Sequence, residues 1–378
     1  MPAVYRTETA PVPVAAPPRK ERSRYFDFLR AAALVRVFLY HMFPFAWLSM
    51  VFPSMGVMFA LGGTLMATSM RRSVEQAITG RLRRLLPALW AMAILVVPVM
   101  LLLPWPDRPH WTHLGLWVLP VVEPPSASWA SPIEGVLWYL VAYLWLVLLS
   151  PLLHRLYRMI GLVAAALPIA GVFVFDYYDW PLPMRVESAM TDVLTFAGCW
   201  ILGFAHNAGV LRKIRWAVLL PIAAVLVGAG LWWTVTHPGE EGIDLANEPV
   251  AYAVYSAGFV LLLFRINPRM AWLERVRPLN GLVNFCNARA VTIYLWHNAA
   301  IDLVFVAAEH YELDRFGDTV ELAGLFVATL ALVAIFVALL GWVEDVAARR
   351  PVSLLPWGKV PASRPRKETP EWCGPVWF

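Results

Sequence analysis

An all-α, polytopic membrane fold of about ten transmembrane helices is predicted by three features of the sequence: its composition, the length of its apolar runs and the placement of its basic residues. The chain is 60% hydrophobic and only 15% charged over 378 residues, the proportions of a protein whose solvent is largely lipid. Apolar runs of about twenty residues recur from end to end, the length a helix needs to cross about 30 Å of hydrocarbon. With the N-terminus inside, Lys and Arg crowd the inner segments, and the outer loops hold only Arg108, Arg185 and Arg315. This pattern obeys the positive-inside rule and places both termini in the cytoplasm. The formal charge of +5 is thereby a topology signal, and no nucleic-acid partner is implied.

Residues 1–23, rich in Pro and Ala and then basic at Arg19, Lys20 and Arg22, read as a disordered cytoplasmic tail. The apolar run that follows is too long, and lacks the small-residue site, for a cleaved signal peptide. Residues 24–348 form one transmembrane domain, and the Pro-rich, basic stretch 349–378 a second cytoplasmic tail. The expected spans are 25–45, 51–70, 85–103, 135–153, 160–175, 189–205, 216–236, 250–264, 290–308 and 321–343. Gly56, Gly62 and Gly63 in the second permit close approach of a neighbouring helix. The longest outer loop, 104–132, carries Trp105, Trp111, Trp117 and Trp129, which read as a membrane-boundary belt, or alternatively as a platform for a sugar. The acids of the outer loops, Glu240, Glu241, Asp244, Glu248, Glu309, Glu312 and Asp314, read as a solvated face. Cys199, Cys286 and Cys373 show neither metal spacing nor a disulfide framework, and no metal site is expected.

The first span holds Asp27, Arg30, Arg36 and His41 at depths where an ionisable group costs several kcal/mol unless it meets a cavity or a partner. Arg30 and His41 are eleven residues apart, a rise of about 16 Å with a net rotation of about 20°, so both look out of one helix face. Asp27 lies about 40° from His41, and Arg36 about 140° away. Arg36 therefore calls for a different neighbour, and Asp302, at comparable depth in the ninth span, is the expected partner. Simpler readings compete: Arg30 snorkels to the headgroups, and His41 packs against a backbone carbonyl.

The pattern Phe26-Asp27-Phe28-Leu29-Arg30, then Tyr40-His41, resembles the acyltransferase-3 family of integral membrane O-acyltransferases. Gly56 to Gly63 resembles that family's glycine-containing second helix, with Gly62 where Ser is usual. Arg81-Leu82-Arg83-Arg84 resembles its R-x-x-R element. Trp138-Tyr139-Leu140 and Tyr294-Leu295-Trp296-His297 fit more loosely, and the Ser-Val-Glu of many members is missing. The resemblance covers about residues 25–343. It implies transfer of an acyl group, acetyl above all, from acyl-CoA to a hydroxyl of an envelope carbohydrate, glycolipid or secreted metabolite, in the bacterial cytoplasmic membrane. No permanently bound cofactor is implied.

A hydroxyl is a poor nucleophile and needs a base within hydrogen-bond reach, a role that falls to His41. Arg30 is expected beside it, either guiding the donor's neck or stabilising the oxyanion. Arg81 and Arg84 offer planar forks for the phosphates of coenzyme A; as a purely topological cluster they would bind nothing. His297 and Trp138 are candidate substrate contacts, the reading of His297 as a hydrogen-bonded structural residue standing slightly ahead. The rival classes are a transporter, with Arg30, Arg36, His41, His297 and Asp302 as a proton or substrate path, and a non-catalytic scaffold. The lack of an internal repeat weighs against the transporter.

Overall fold

The computed structural model describes residues 23–353 apart from 44, 104–106, 179, 240–241, 267 and 313–316. The two expected tails thus lie almost wholly outside the described residues, as do Cys373, Trp105, Glu240, Glu241, Asp314 and Arg315.

The chain runs α1 (Arg24–Met42), α2 (Trp47–Val51), α3 (Ser54–Met70), α4 (Val74–Leu102), α5 (Ser131–Glu134), α6 (Leu137–Ile160), α7 (Ala166–Tyr177), α8 (Met184–Asn207), α9 (Val210–Lys213), α10 (Trp216–Thr236), α11 (Pro249–Ile266), α12 (Arg277–Ala288), α13 (Ala290–His310), α14 (Asp318–Leu340) and α15 (Trp342–Ala347). No β-strand occurs among the described residues. Each of the ten expected runs falls on a helix. Seven helical stretches are long and apolar enough to cross a membrane: α4, α6 continuing into α7, α8, α10, α11, α13 and α14. α3 is apolar but has only 17 residues, and α1 carries Arg24, Asp27, Arg30 and Arg36.

Two of the departures from expectation bear on the site. α4 starts at Val74, where an inner loop is expected, because Ser73 caps it by accepting from the Gln76 amide at 3.3 Å, with Glu75 in the first turn. Arg81 and Arg84 are therefore helical and, three residues apart, share a face. α12 also replaces expected loop. It is amphipathic, with Asn280, Asn284 and Asn287 at the i, i+4, i+7 spacing of one helix stripe.

The core is centred on α3, α6 and α8. Gly63 lies so close to α8 that a Cβ there would enter the Trp200 carbonyl, and a Cβ on Gly203 would strike the Ala60 carbonyl. This is the backbone contact that small residues allow between membrane helices. The Trp200 indole donates to Ser150 Oγ of α6 at 3.0 Å, so the third helix is tied in by a satisfied polar group. α1, α11 and α13 pack around this centre, α10 against α11 and α14 against α13. Val218, Ile222 and Val225 of α10, with Val327, Ile335 and Leu339 of α14, stay exposed, as suits helices whose outer side meets lipid.

Alternating helix direction gives the bundle two ends. One gathers the start of α1, the α3–α4 turn and α12; the other gathers the end of α1, the loop 107–136 and the starts of α8 and α11.

Candidate active site

At the loop end an open cavity of about 340 Å³ is lined from α1 by Arg36, Val37, Tyr40 and His41. Facing them are Trp138 of α6, Asp192 and Phe196 of α8, Tyr252 of α11, Tyr294 of α13 and Glu123 of the loop. His41 sits in the last turn of α1, exposed to the cavity. Its Nδ1 lies 2.9 Å from the Val37 carbonyl one turn back, and a carbonyl only accepts, so Nδ1 carries the proton. In the neutral form this leaves Nε2 with its lone pair uncommitted, the state a general base requires.

His297, in α13, is fully buried behind it. Its Nδ1 donates to the Tyr294 carbonyl at 2.6 Å, so its Nε2 is an acceptor, 3.3 Å from His41 Nδ1. The two rings meet edge to face with centroids 5.0 Å apart. His41 Nδ1–H is thus shared between Val37 and His297, which fixes both tautomer and ring plane. His297 supports the cavity from behind rather than lining it, the place of a hydrogen-bonded structural residue and not of the expected substrate contact.

Trp138 does line the cavity, stacked at 24° on Phe196 with centroids 5.6 Å apart. The opposite wall is pinned by Asp244, a buried residue that accepts from Tyr40 Oη at 2.6 Å, Ser49 Oγ at 2.7 Å and the Ala246 amide at 2.8 Å. This acid belongs to no solvated face, contrary to its expected role. At the mouth, burial and then the charge of Glu134 push the Glu123 carboxyl upward, against the pull of Arg185.

Arg36 corrects the sequence reading. It forms no pair with Asp302: its Nε donates to the Leu48 carbonyl at 3.1 Å and its guanidinium lies over the Tyr40 ring, 4.6 Å from the centroid. The 140° between Arg36 and His41 is real, but Tyr40 and Val37 fall between them on the helix surface, and the cavity takes in the whole arc.

Arg30 lies deeper, outside the residues that line this cavity. Its Nη1 donates at 3.0 Å to Asn287 Oδ1, whose amide nitrogen is in turn held by the Asp27 and Val283 carbonyls. Arg24 pairs with Asp27 at 3.3 Å and donates to Asn280 and Asn284. The asparagine stripe of α12 thus satisfies the polar face of α1 at this end.

A second cavity, of about 330 Å³, opens at this arginine-rich end between α3 and α4. Arg72, Arg81 and Arg84 line it with Thr68, Ser69 and Gln76, and no carboxylate is among its lining residues. Three guanidinium forks without a counter-charge suit a polyanion. Arg81 reaches inward, donating to Tyr143 Oη at 2.7 Å. From Tyr143 a file of ring contacts runs through Tyr139, Tyr294 and His297 to His41, with successive centroids 6.0, 4.9, 5.6 and 5.0 Å apart. Among the described residues no cluster of His, Cys, Asp and Glu has a metal-binding arrangement, and Cys199 and Cys286 are buried free thiols.

Sequence reasoning found His41, Arg30, Arg81, Arg84, His297 and Trp138 one by one, and missed Asp244, Asp192 and the asparagine stripe. The stripe had a visible signal in its spacing. Asp244 had none, since only the fold brings its loop to α1.

Residues 23–339 match the family model described as an acyltransferase domain. Comparison with curated proteins and with solved structures yields no match.

Proposed function

The chain belongs to the acyltransferase-3 family, and from that premise we propose that it is a membrane O-acyltransferase that moves an acyl group, most simply acetyl, from acyl-CoA to a hydroxyl of an envelope carbohydrate, glycolipid or secreted metabolite. In this reading about ten helices cross the bacterial cytoplasmic membrane, both termini are cytoplasmic, and the arginine-rich end faces the cytoplasm.

The observation that carries the reading is His41: a neutral imidazole with Nδ1 committed to Val37 and His297, and Nε2 left for the cavity. An acceptor hydroxyl in that cavity gives its proton to Nε2 while its oxygen bonds to the thioester carbon. The tetrahedral intermediate collapses with cleavage of the carbon–sulfur bond, and the proton passes from His41 to the departing thiolate. Arg81 and Arg84 hold the donor's phosphates. The pantetheine arm follows the file of rings inward past Arg30, which guides the neck of the donor. Trp138 and Phe196 offer an aromatic wall on which the apolar face of a sugar ring can rest, with Asp192 and Glu123 as hydroxyl acceptors.

The purified protein is expected to transfer acetyl from acetyl-CoA to acceptor, with His41→Gln keeping the fold and losing about 10²-fold or more in turnover, the scale of general-base catalysis. Equal turnover per folded molecule in the two proteins would remove His41 from the reaction. No transfer by either would remove the function.

A further inference from the structure

We infer that Arg36 stabilises the oxyanion formed on the acyl group during transfer, an inference that rests on the acyltransferase reading above. Arg36 is buried to 8% exposure inside a span, yet it lines the same cavity as His41. Among the described residues no carboxylate lies within ion-pairing distance of it. Asp244, bonded to the Tyr40 whose ring Arg36 covers, is already engaged, since its two oxygens accept from Tyr40, Ser49 and Ala246. Of the three guanidinium nitrogens, Nε alone has a hydrogen-bond partner, the Leu48 carbonyl, and Nη2 is buried with none. A cation kept at this depth without a direct ion pair is costly. An anion that exists only during the reaction would complete its coordination.

Distance favours Arg36 over Arg30 for this role. A hydroxyl bonded to Nε2 of His41 attacks a carbon about 3–3.5 Å away, so the developing oxyanion lies within two bond-lengths of hydrogen-bonding contact from the imidazole. The Cα of Arg36 is about 7.5 Å along α1 from that of His41, within the span of one arginine side chain, whereas that of Arg30 is about 16 Å away. Nη1 of Arg30 is moreover bonded to Asn287. The Leu48 bond and the Tyr40 face hold the Arg36 fork in place before any charge develops, the preorganisation that makes such a donor effective.

In the step, the carbonyl π pair moves onto oxygen as the acceptor oxygen bonds to carbon, and Arg36 pairs with that O⁻. The pair returns as the carbon–sulfur bond breaks, and the guanidinium keeps all its protons throughout.

The full chain in nanodiscs tests this with two coenzyme A thioethers as probes: S-carboxymethyl-CoA, which carries a carboxylate one carbon beyond the carbon on which the oxyanion forms, and S-ethyl-CoA, which carries no charge there. The parent should prefer the carboxymethyl compound, and Arg36→Gln should lose that preference by about tenfold or more while binding S-ethyl-CoA as before. With acetyl-CoA, kcat should fall about 10²- to 10³-fold with KM nearly unchanged, the scale of losing one oxyanion donor. Arg36→Lys, which keeps the charge but not the fork, should fall between the two and serves where the Gln variant does not fold. An unchanged probe preference in folded Arg36→Gln or Arg36→Lys overturns the inference and leaves the acyltransferase reading standing. Failure of the parent to bind either thioether overturns both.

Discussion

Replacing His297 with Leu removes the acceptor behind His41 and fills most of its volume without leaving a new polar group. What His41 loses is one arm of a shared hydrogen bond, the 3.3 Å contact from Nδ1, while the 2.9 Å bond to Val37 remains and keeps the same tautomer. A neutral hydrogen bond contributes about 0.5–1.5 kcal/mol. If all of it positions the ring in the transition state, turnover falls about two- to thirteenfold. His41→Gln should cost about 10²-fold or more. Because His297 acts only through His41, the double variant His41→Gln/His297→Leu should be no slower than His41→Gln alone. The assay is single-turnover acetyl transfer normalised to folded protein, with the pH profile recorded, since a positioning residue shifts the profile's limb where a packing residue does not. Losses that multiply in the double variant would refute the argument, as would His297→Leu falling as far as His41→Gln with its fold intact.

The remaining predictions concern the two ends of the path. Arg81→Ala with Arg84→Ala should weaken acetyl-CoA binding by about 10²-fold, on the order of 1.5 kcal/mol for each charged hydrogen bond, with the difference shrinking as salt rises. Calorimetric titration at two ionic strengths checks this, and an unaltered affinity would leave the cluster a topology signal. At the mouth, burial followed by Glu134 raises the Glu123 carboxyl above its unfolded value. The folded state therefore binds this proton more tightly, and the charged form costs stability once pH rises past the unfolded value near 4.5. Glu123→Gln should accordingly unfold at a higher temperature than the parent at pH 7, with the gap closing as pH falls toward 4. A gap that widens on acidification would reverse the sign.

What the sequence could and could not disclose follows from the range of the forces involved. Hydropathy is a local sum, so every apolar run found its helix, and the Arg30 to His41 spacing is a property of one helix that survives any packing. Interhelical contacts are not local. α12 is too short to cross a membrane, so hydropathy places it in a loop, although its Asn280, Asn284 and Asn287 stripe has the period of a helix face. Arg36 shows the limit most plainly. A helical wheel separates it from His41 by about 140°, and a wheel assumes that each face of a helix meets one neighbour. Here the cavity takes the place of that neighbour, since Arg36, Tyr40, Val37 and His41 all line it, while Asp244 holds Tyr40 and Ser49 of α2 at its edge. Two residues about 140° apart on a helix can then serve one reacting group, one removing its proton and the other receiving its charge, provided that the cavity holding the group spans the arc between them.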